Sequence, residues 1–557
     1  MYAVLPILFV YYTTPTAALQ VLWKIFSAVY ACFFAFWGLF RNKNVVYLFI
    51  YIKKATVKAM HISTLIESAG MKRHLHEIKT DQEIVNICSD SRKAGPGSVF
   101  VCIKGATADG HFFAPMAYDR GCRVFIASGE LDIPDDATVI TVRNTRAALA
   151  DIASAFYGFP SRELKVIGIT GTKGKTTSAL MAAHILNKAG IPAGYIGTSG
   201  ISYGGKTYPT VNTTPESLEL QRTMREMLDA DMRAVVMEVS SQGLYMGRVR
   251  GIRFDTVCFT NFSPDHIGGA EHPTVEHYAA CKHKLFTDFG AKAAVYNADD
   301  KMSDYMLDGF KGRKRISFSE NDRGADFCLS DAELERNGSH LGVSAHVTHG
   351  GAEYSIKLPM PGKFNLMNAL CAVAATGTLG VPVDTALEAL TDVTAAGRFQ
   401  TVDALPGSGI TFVVDYAHNG LALESVLLTL RKYRPRRLIC LFGSVGGRTK
   451  TRRHELGEVA SLLADFCILT ADNPDFEDPR ETINEIAAAF KPGASCDYIK
   501  IPNRTEAVRY AVSIAREGDI VLLAGKGAED FQLINGQRVP YSDRDALLEC
   551  AKTALTV

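Results

Sequence analysis

Lys165-Val-Ile-Gly-Ile-Thr170, followed by Gly171-Thr172-Lys173-Gly174-Lys175-Thr176-Thr177, decides the reading of this chain. The first six residues are an apolar strand. From Thr177 to Ala189 the apolar positions Leu180, Ala183, Ile185 and Leu186 recur at helical spacing. A glycine-rich turn between a strand and a helix lets backbone N–H groups converge on a phosphate, and the helix N-terminus adds partial positive charge. Lys175 is placed to reach the terminal phosphates of a nucleotide, and the Thr176 hydroxyl to hold Mg²⁺. The spacing departs from G-x4-G-K-[ST], because Gly168 lies one residue too far from Gly174. The strand–loop–helix setting outweighs that departure, and ATP is the expected ligand.

Outward from this loop, apolar strands alternate with amphipathic helices, as in a parallel sheet covered on both faces. Val166–Thr170, Ala234–Glu238, Thr256–Thr260 and Ala293–Asn297 supply such strands within residues 161–395. The alternation resumes over 396–557 with Thr411–Asp415, Arg437–Phe442, Phe466–Thr470 and Ile520–Ala524. Residues 60–160 are shorter strands and turns, among them Ser98–Ile103 and Ala137–Val142. At 557 residues the chain exceeds one ordinary core, and three α/β domains with these bounds are predicted.

Charge and cysteines narrow the class. The whole-chain charge of +1 provides no field for nucleic acid. Residues 1–59 hold six basic residues and no acid, which leaves the remainder at −5. Within that leader, Ala17–Phe40 is long and apolar enough to span a bilayer, and its flanking charges would keep the body in the cytoplasm. The preferred alternative makes residues 1–59 untranslated sequence upstream of a start at Met60, so membrane contact is expected only if the leader is real. The 12 cysteines show no C-x-x-C pair or zinc spacing, and suit buried thiols in a reducing compartment.

Further motifs follow the phosphate loop in order. Glu238 ends the strand Ala234–Glu238, where a carboxylate beside the loop can hold Mg²⁺. Thr260-Asn-Phe-Ser-Pro-Asp-His266, Tyr278-Ala-Ala-Cys-Lys282-His-Lys-Leu-Phe286, Gly362-Lys-Phe-Asn-Leu-Met-Asn368, Gly397-Arg398 and Asp415-Tyr-Ala-His418 come next. Together with the shortened loop, this series resembles the Mur ligase family over residues 60–557. The resemblance implies a small N-terminal uridine-binding α/β domain, a central P-loop parallel-sheet ATPase domain and a C-terminal Rossmann-like α/β domain. It implies an ATP-dependent ligase that activates a carboxylate as an acyl-phosphate and releases ADP and phosphate. His266 would be a metal ligand beside Thr176 and Glu238. Lys282 would be carbamoylated (N6-carboxylysine) and complete a site for two Mg²⁺ ions. Asn368 would contact adenine, Arg398 the γ-phosphate and Asp415 the ribose.

Other segments are similar to the MurE branch of that family, which extends UDP-MurNAc-L-Ala-D-Glu by one amino acid in peptidoglycan precursor synthesis. Ser89 and Ser91 in Cys88-Ser-Asp-Ser-Arg92, and Ala106, Thr107 and Ala108 in Gly105–His111, would bind the uridine nucleotide. Asn212, Thr213, Thr214, Ser240, Met246 and Arg248 would contact the muramyl-dipeptide. Arg448, Asp472, Asn473, Pro474, Asp475, Gly525 and Glu529 would bind the incoming amino acid. Three positions depart from the pattern: Asp475 replaces the usual Arg, Ala528 a common His, and no acid neighbours Arg448. A carboxylate at 475 would repel a second carboxylate and attract an ammonium. L-lysine is therefore the expected amino acid, with meso-diaminopimelate, ornithine, or a folylpolyglutamate- or cyanophycin-type substrate as alternatives. A cytoplasmic monomer is expected.

Overall fold

β1 (Lys165–Thr170) buries Ile167 and Ile169 on one face and Val166 on the other, which makes it a central strand. Gly168 leaves room for the Phe254 ring, which a Cβ there would meet at 2.5 Å. The computed structural model describes residues 59–555 apart from 106–107, 265–266, 269–270, 396, 448–449, 492 and 494. The expected apolar span at 17–40 lies outside these residues. Among them, no helix is long and apolar enough to cross a membrane.

β1 lies between β2 (Ala234–Glu238) and β3 (Thr256–Phe259) and runs parallel to both. These three belong to an eleven-stranded sheet. Helix α1 (Lys175–Lys188) follows the loop, and α2 (Val275–Thr287) follows β3 after a turn. Helix α3 (Phe364–Gly377), rich in alanine, packs closely on α1 in the same core. α1 starts two residues earlier than periodicity suggests, because Gly174 takes a left-handed φ of +85° as its N-cap.

The sheet is not wholly parallel. Strands 327–337, 340–349 and 352–358 form an antiparallel meander at one edge, and 200–203 with 206–208 form a hairpin at the other. The sequence reading missed the meander, although exposure alternates along Ser330–Asn337 as a half-solvated strand requires. Its physical reason is a partner: the meander abuts the C-terminal layer, where the Tyr433 hydroxyl donates to Gly342 O at 2.7 Å and accepts from Gly362 N at 3.0 Å.

That layer is a six-stranded sheet in the order 400–402, 411–415, 520–524, 438–442, 466–469, 497–500, parallel except for its first pair. The N-terminal layer is a four-stranded parallel sheet, 86–88, 98–101, 124–127 and 138–141. Its helix Thr145–Phe156 packs on Ser217–Asp229 of the central layer, and Arg250 pairs with Asp151 at 2.8 Å.

Candidate active site

Gly171 and Gly174 shape the loop by close approach. A Cβ on Gly171 would lie 1.9 Å from Thr260 Oγ1, and one on Gly174 would lie 2.3 Å from Asn368 Oδ1. The segment after β3 grips the loop from outside. Thr260 Oγ1 donates to Lys173 O at 2.7 Å, Asn261 Oδ1 accepts from Lys173 N at 2.9 Å, and Thr172 Oγ1 donates to Ser263 O at 3.1 Å. The sequence reading valued this turn for His266, which lies outside the described residues. It missed the clamp formed by Thr260, Asn261 and Ser263.

Lysines converge on the loop from two helices. Lys175 Nζ donates to Gly171 O and Thr172 O, both at 3.0 Å. The buried Lys282 Nζ reaches the same Gly171 carbonyl at 2.8 Å and sits 4.3 Å from the centre of the Tyr278 ring. Opposite them, the fully buried Glu238 gathers donors at the end of β2. Its Oε2 accepts from Thr176 Oγ1 at 2.9 Å, and its Oε1 from Tyr195 OH at 2.6 Å and Thr198 N at 2.8 Å. Burial and the facing Glu238 carboxylate hold the Tyr195 phenol well above its ordinary range, so it stays a donor. Tyr195 and Thr198 carried no motif signal in the sequence. The Thr176 hydroxyl and Glu238 carboxylate are hard oxygen donors of the kind that suits Mg²⁺.

Two cavities flank this machinery. One, of about 660 Å³, is lined by Thr172–Thr177, Glu238, Asn368, Arg398 and Asp415. The other, of about 700 Å³, is lined by Asn212, Thr213, Arg398, Ala528, Glu529 and Arg538, among others. Thr198, Thr213, Arg398 and Tyr416 line both cavities, and the Arg398 guanidinium lies 4.9 Å from the Tyr416 ring centre. Asp415 is buried and spends both oxygens on backbone: Oδ2 accepts from Phe399 N at 2.7 Å and Oδ1 from Ala417 N at 2.8 Å. It thereby fixes the segment that carries Arg398. Burial raises its pKa against the opposing effect of Arg398.

The segment Asn212–Thr214, expected to contact the muramyl-dipeptide, is braced from β2. Thr214 Oγ1 donates to Glu238 O and accepts from Ser240 N, both at 3.0 Å, while Arg248 donates to Thr214 O at 3.1 Å and pairs with Glu216. Ser240 Oγ caps the short helix that precedes Met246. Ser89, Ser91 and Ala108 follow the carboxyl ends of strands 86–88 and 98–101 and line neither cavity. Ala106, Thr107 and Arg448 lie outside the described residues.

The segment from Asp472 to Asp475 stands behind Glu529 and lines neither cavity. Asn473 donates to Glu529 Oε2 at 3.1 Å, and its Oδ1 accepts from Lys526 Nζ at 2.8 Å and from Leu533 N at 2.9 Å. Asp472 is buried, which raises its pKa, and it lies 2.7 Å from where a Cβ on Gly525 would be. Pro474 is also buried, and its backbone lies against Gly446. Asp475 departs most from expectation. At a φ of +52° its carboxylate turns to accept from Gly536 N at 2.8 Å, inside the hairpin 531–540. It holds a turn where an amino-acid contact was expected.

Sequence models of the Mur ligase family match the chain in three pieces: a catalytic domain over 83–157, the middle domain over 169–376 and the glutamate ligase domain over 397–527. The UDP-N-acetylmuramoyl-L-alanyl-D-glutamate–2,6-diaminopimelate ligase of Caldanaerobacter subterraneus is 39% identical over 476 residues, covering 85% of this chain and 96% of that protein. A ligase of the same name from Geobacillus thermodenitrificans is 39% identical over 470 residues, covering 83% and 94%. A solved structure under that name superposes with a TM-score of 0.65 at 26% identity, covering 89% of this chain and 99% of its own. These names carry diaminopimelate, so they do not support the lysine expected from Asp475. With the phosphate loop, the Glu238 cluster and the paired cavities in place, the chain belongs to the Mur ligase family of ATP-dependent, amide-forming ligases, in its MurE branch.

Proposed function

We propose that this enzyme joins 2,6-diaminopimelate to the D-Glu of UDP-MurNAc-L-Ala-D-Glu in cytoplasmic peptidoglycan precursor synthesis. The observation that carries the reading is that Arg398 lines both cavities. One holds the phosphate loop, and the other holds Asn212 and Thr213 facing Glu529. In this reading residues 60–160 bind the uridine nucleotide, 161–395 bind ATP, and 396–557 bind the amino acid.

Thr172–Thr177 cradle the ATP phosphates, with Lys175 and Arg398 on the transferred group and Asn368 beside the loop. Asn212, Thr213, Thr214, Ser240 and Arg248 orient the dipeptide so that its terminal carboxylate attacks the γ-phosphate in line. ADP leaves, the uncharged amine at the other end of the amino acid attacks the acyl-phosphate carbon, and phosphate departs as the nitrogen gives up its proton. No protein nucleophile takes part, and the work is positioning and charge neutralisation. Thr176, Glu238, His266 and a carbamoylated Lys282 would hold Mg²⁺, which supplies charge neutralisation at the phosphates when bound.

The second carboxylate of diaminopimelate needs a cation. Arg538 lines the cavity that contains Glu529, and its guanidinium lies 4.5 Å from the Phe531 ring centre. Glu529 for the distal ammonium and Arg538 for the distal carboxylate suit the zwitterionic end of this amino acid. The test is phosphate release from ATP with UDP-MurNAc-L-Ala-D-Glu and a panel of meso-diaminopimelate, L-lysine and L-ornithine. Turnover is expected with diaminopimelate in strong preference. Preference for lysine would overturn the amino-acid assignment, and no release with any member would overturn the acceptor.

A further inference from the structure

His272, His277 and Cys281 bring three soft donors together outside the phosphate and acceptor cavities. Their ligand atoms all lie within 4.8 Å of one another. Thr274 caps α2 by accepting from His277 N at 3.1 Å, which places His277 in the first turn and Cys281 one turn on, on the same face. His272, fully buried in the preceding turn, directs Nδ1 to within 3.0 Å of His277 Nδ1. The buried Cys281 Sγ lies 3.8 Å from His277 Nδ1.

We propose that these residues form a binding site for a soft divalent cation of the zinc class, distinct from the oxygen donors at Thr176 and Glu238. A tetrahedral ion with zinc's usual bond lengths needs about 3.4 Å between nitrogens and about 3.6 Å from nitrogen to sulfur. The observed nitrogen–nitrogen distance of 3.0 Å is shorter than its edge and the nitrogen–sulfur distance of 3.8 Å longer, each by a few tenths of an ångström. An N₂S donor set selects zinc or cobalt over magnesium. His272 Nε2 lies 2.9 Å from Ser241 Oγ, and that contact fixes the ring in the position that brings Nδ1 to His277. The fourth position is left for water.

One movement is required. Cys281 Sγ is nearly equidistant from both nitrogens of His277, at 3.8 and 3.9 Å, so it lies over the ring. His277 must rotate its imidazole to aim Nδ1 at the ion, and as the half-exposed member it also provides the way in. On binding, the Cys281 thiol proton is released to solvent and a metal–thiolate bond forms. The ion would tie the turn after β3 to α2 one residue from Lys282.

The competing account is a His–His hydrogen bond beside an inert thiol. Co²⁺ and Zn²⁺ titrations of the full-length, chelator-treated protein, with Mg²⁺ present at saturation, decide between them. Wild type should bind Co²⁺ with a thiolate-to-cobalt charge-transfer band and retain Zn²⁺ on dialysis. Cys281→Ala should lose the band and bind Zn²⁺ at least tenfold more weakly while keeping Mg²⁺-dependent phosphate release, since alanine fills this position in the family resemblance. His277→Gln should lose Zn²⁺ in the same way and provides a second test should Cys281→Ala fold poorly. Absence of the band in wild type, or unchanged Zn²⁺ affinity in either folded variant, would overturn the site.

Discussion

Glu238 carries more of the site than any other single residue. A carboxylate buried at a strand end is costly unless its lone pairs are filled, and Thr176, Tyr195 and Thr198 fill them. Glu238→Gln forces an amide N–H₂ toward at least one of these donors. Phosphate release is expected to fall roughly 100- to 1,000-fold, the scale of losing one preorganised charge-stabilising group. Lys282→Ala should lose activity on a similar scale and regain part of it with short-chain carboxylic acids that replace a carbamate. Full activity in the unrescued variant would remove Lys282 from the site. His418 makes a prediction about pH. Burial lowers its pKa below the ordinary 6.5, so below pH 6.5 the unfolded chain binds more protons than the folded one. Its contribution to stability is complete above pH 6.5 and declines as pH falls toward the folded pKa. Thermal midpoints measured from pH 7.5 to 5 should therefore fall less steeply in His418→Gln than in wild type.

At the scale of elements, turns place the chemistry. The phosphate loop was legible from Gly171–Thr177 because backbone conformation follows local sequence, and strand, turn and helix each have their own signature. The segment Gly397–Phe399 was legible only as a motif. Gly397 has a φ of +65°, and a Cβ there would lie 2.1 Å from Ala528 N, so it sets how closely Arg398 approaches the Glu529 loop. Gly397→Ala should destabilise the protein by about 1–3 kcal/mol through backbone strain, read as a lower denaturant midpoint, and should raise KM for both ATP and the amino acid. An unchanged midpoint and unchanged KM values would show that this contact does not position Arg398.

At the scale of the molecule, three sheets are joined by polar contacts and by apolar packing, with Leu341 of the meander in the C-terminal core and Leu218 against the N-terminal one. Tyr433 bridges the meander and the C-terminal sheet with two hydrogen bonds. Tyr433→Phe leaves Gly342 O and Gly362 N without this partner, at a cost of about 1–3 kcal/mol. Faster proteolysis within 396–410, with little change in nucleotide affinity, is the expected outcome. By itself the sequence determined the order of motifs, the phosphate loop and most strands of the parallel sheets, because these depend on local spacing and hydrophobic period. It did not reveal the antiparallel meander, whose alternation resembles any half-exposed strand until its partner is known. Tertiary structure alone decided that Glu238 draws donors from Thr176, Tyr195 and Thr198, that Arg398 lines two cavities and that Asp475 accepts within a hairpin turn. A side chain's chemistry depends on the donors and acceptors that distant segments bring to it. Asp475 at a φ of +52° faces Gly536, a partner 61 residues away that no local pattern specifies.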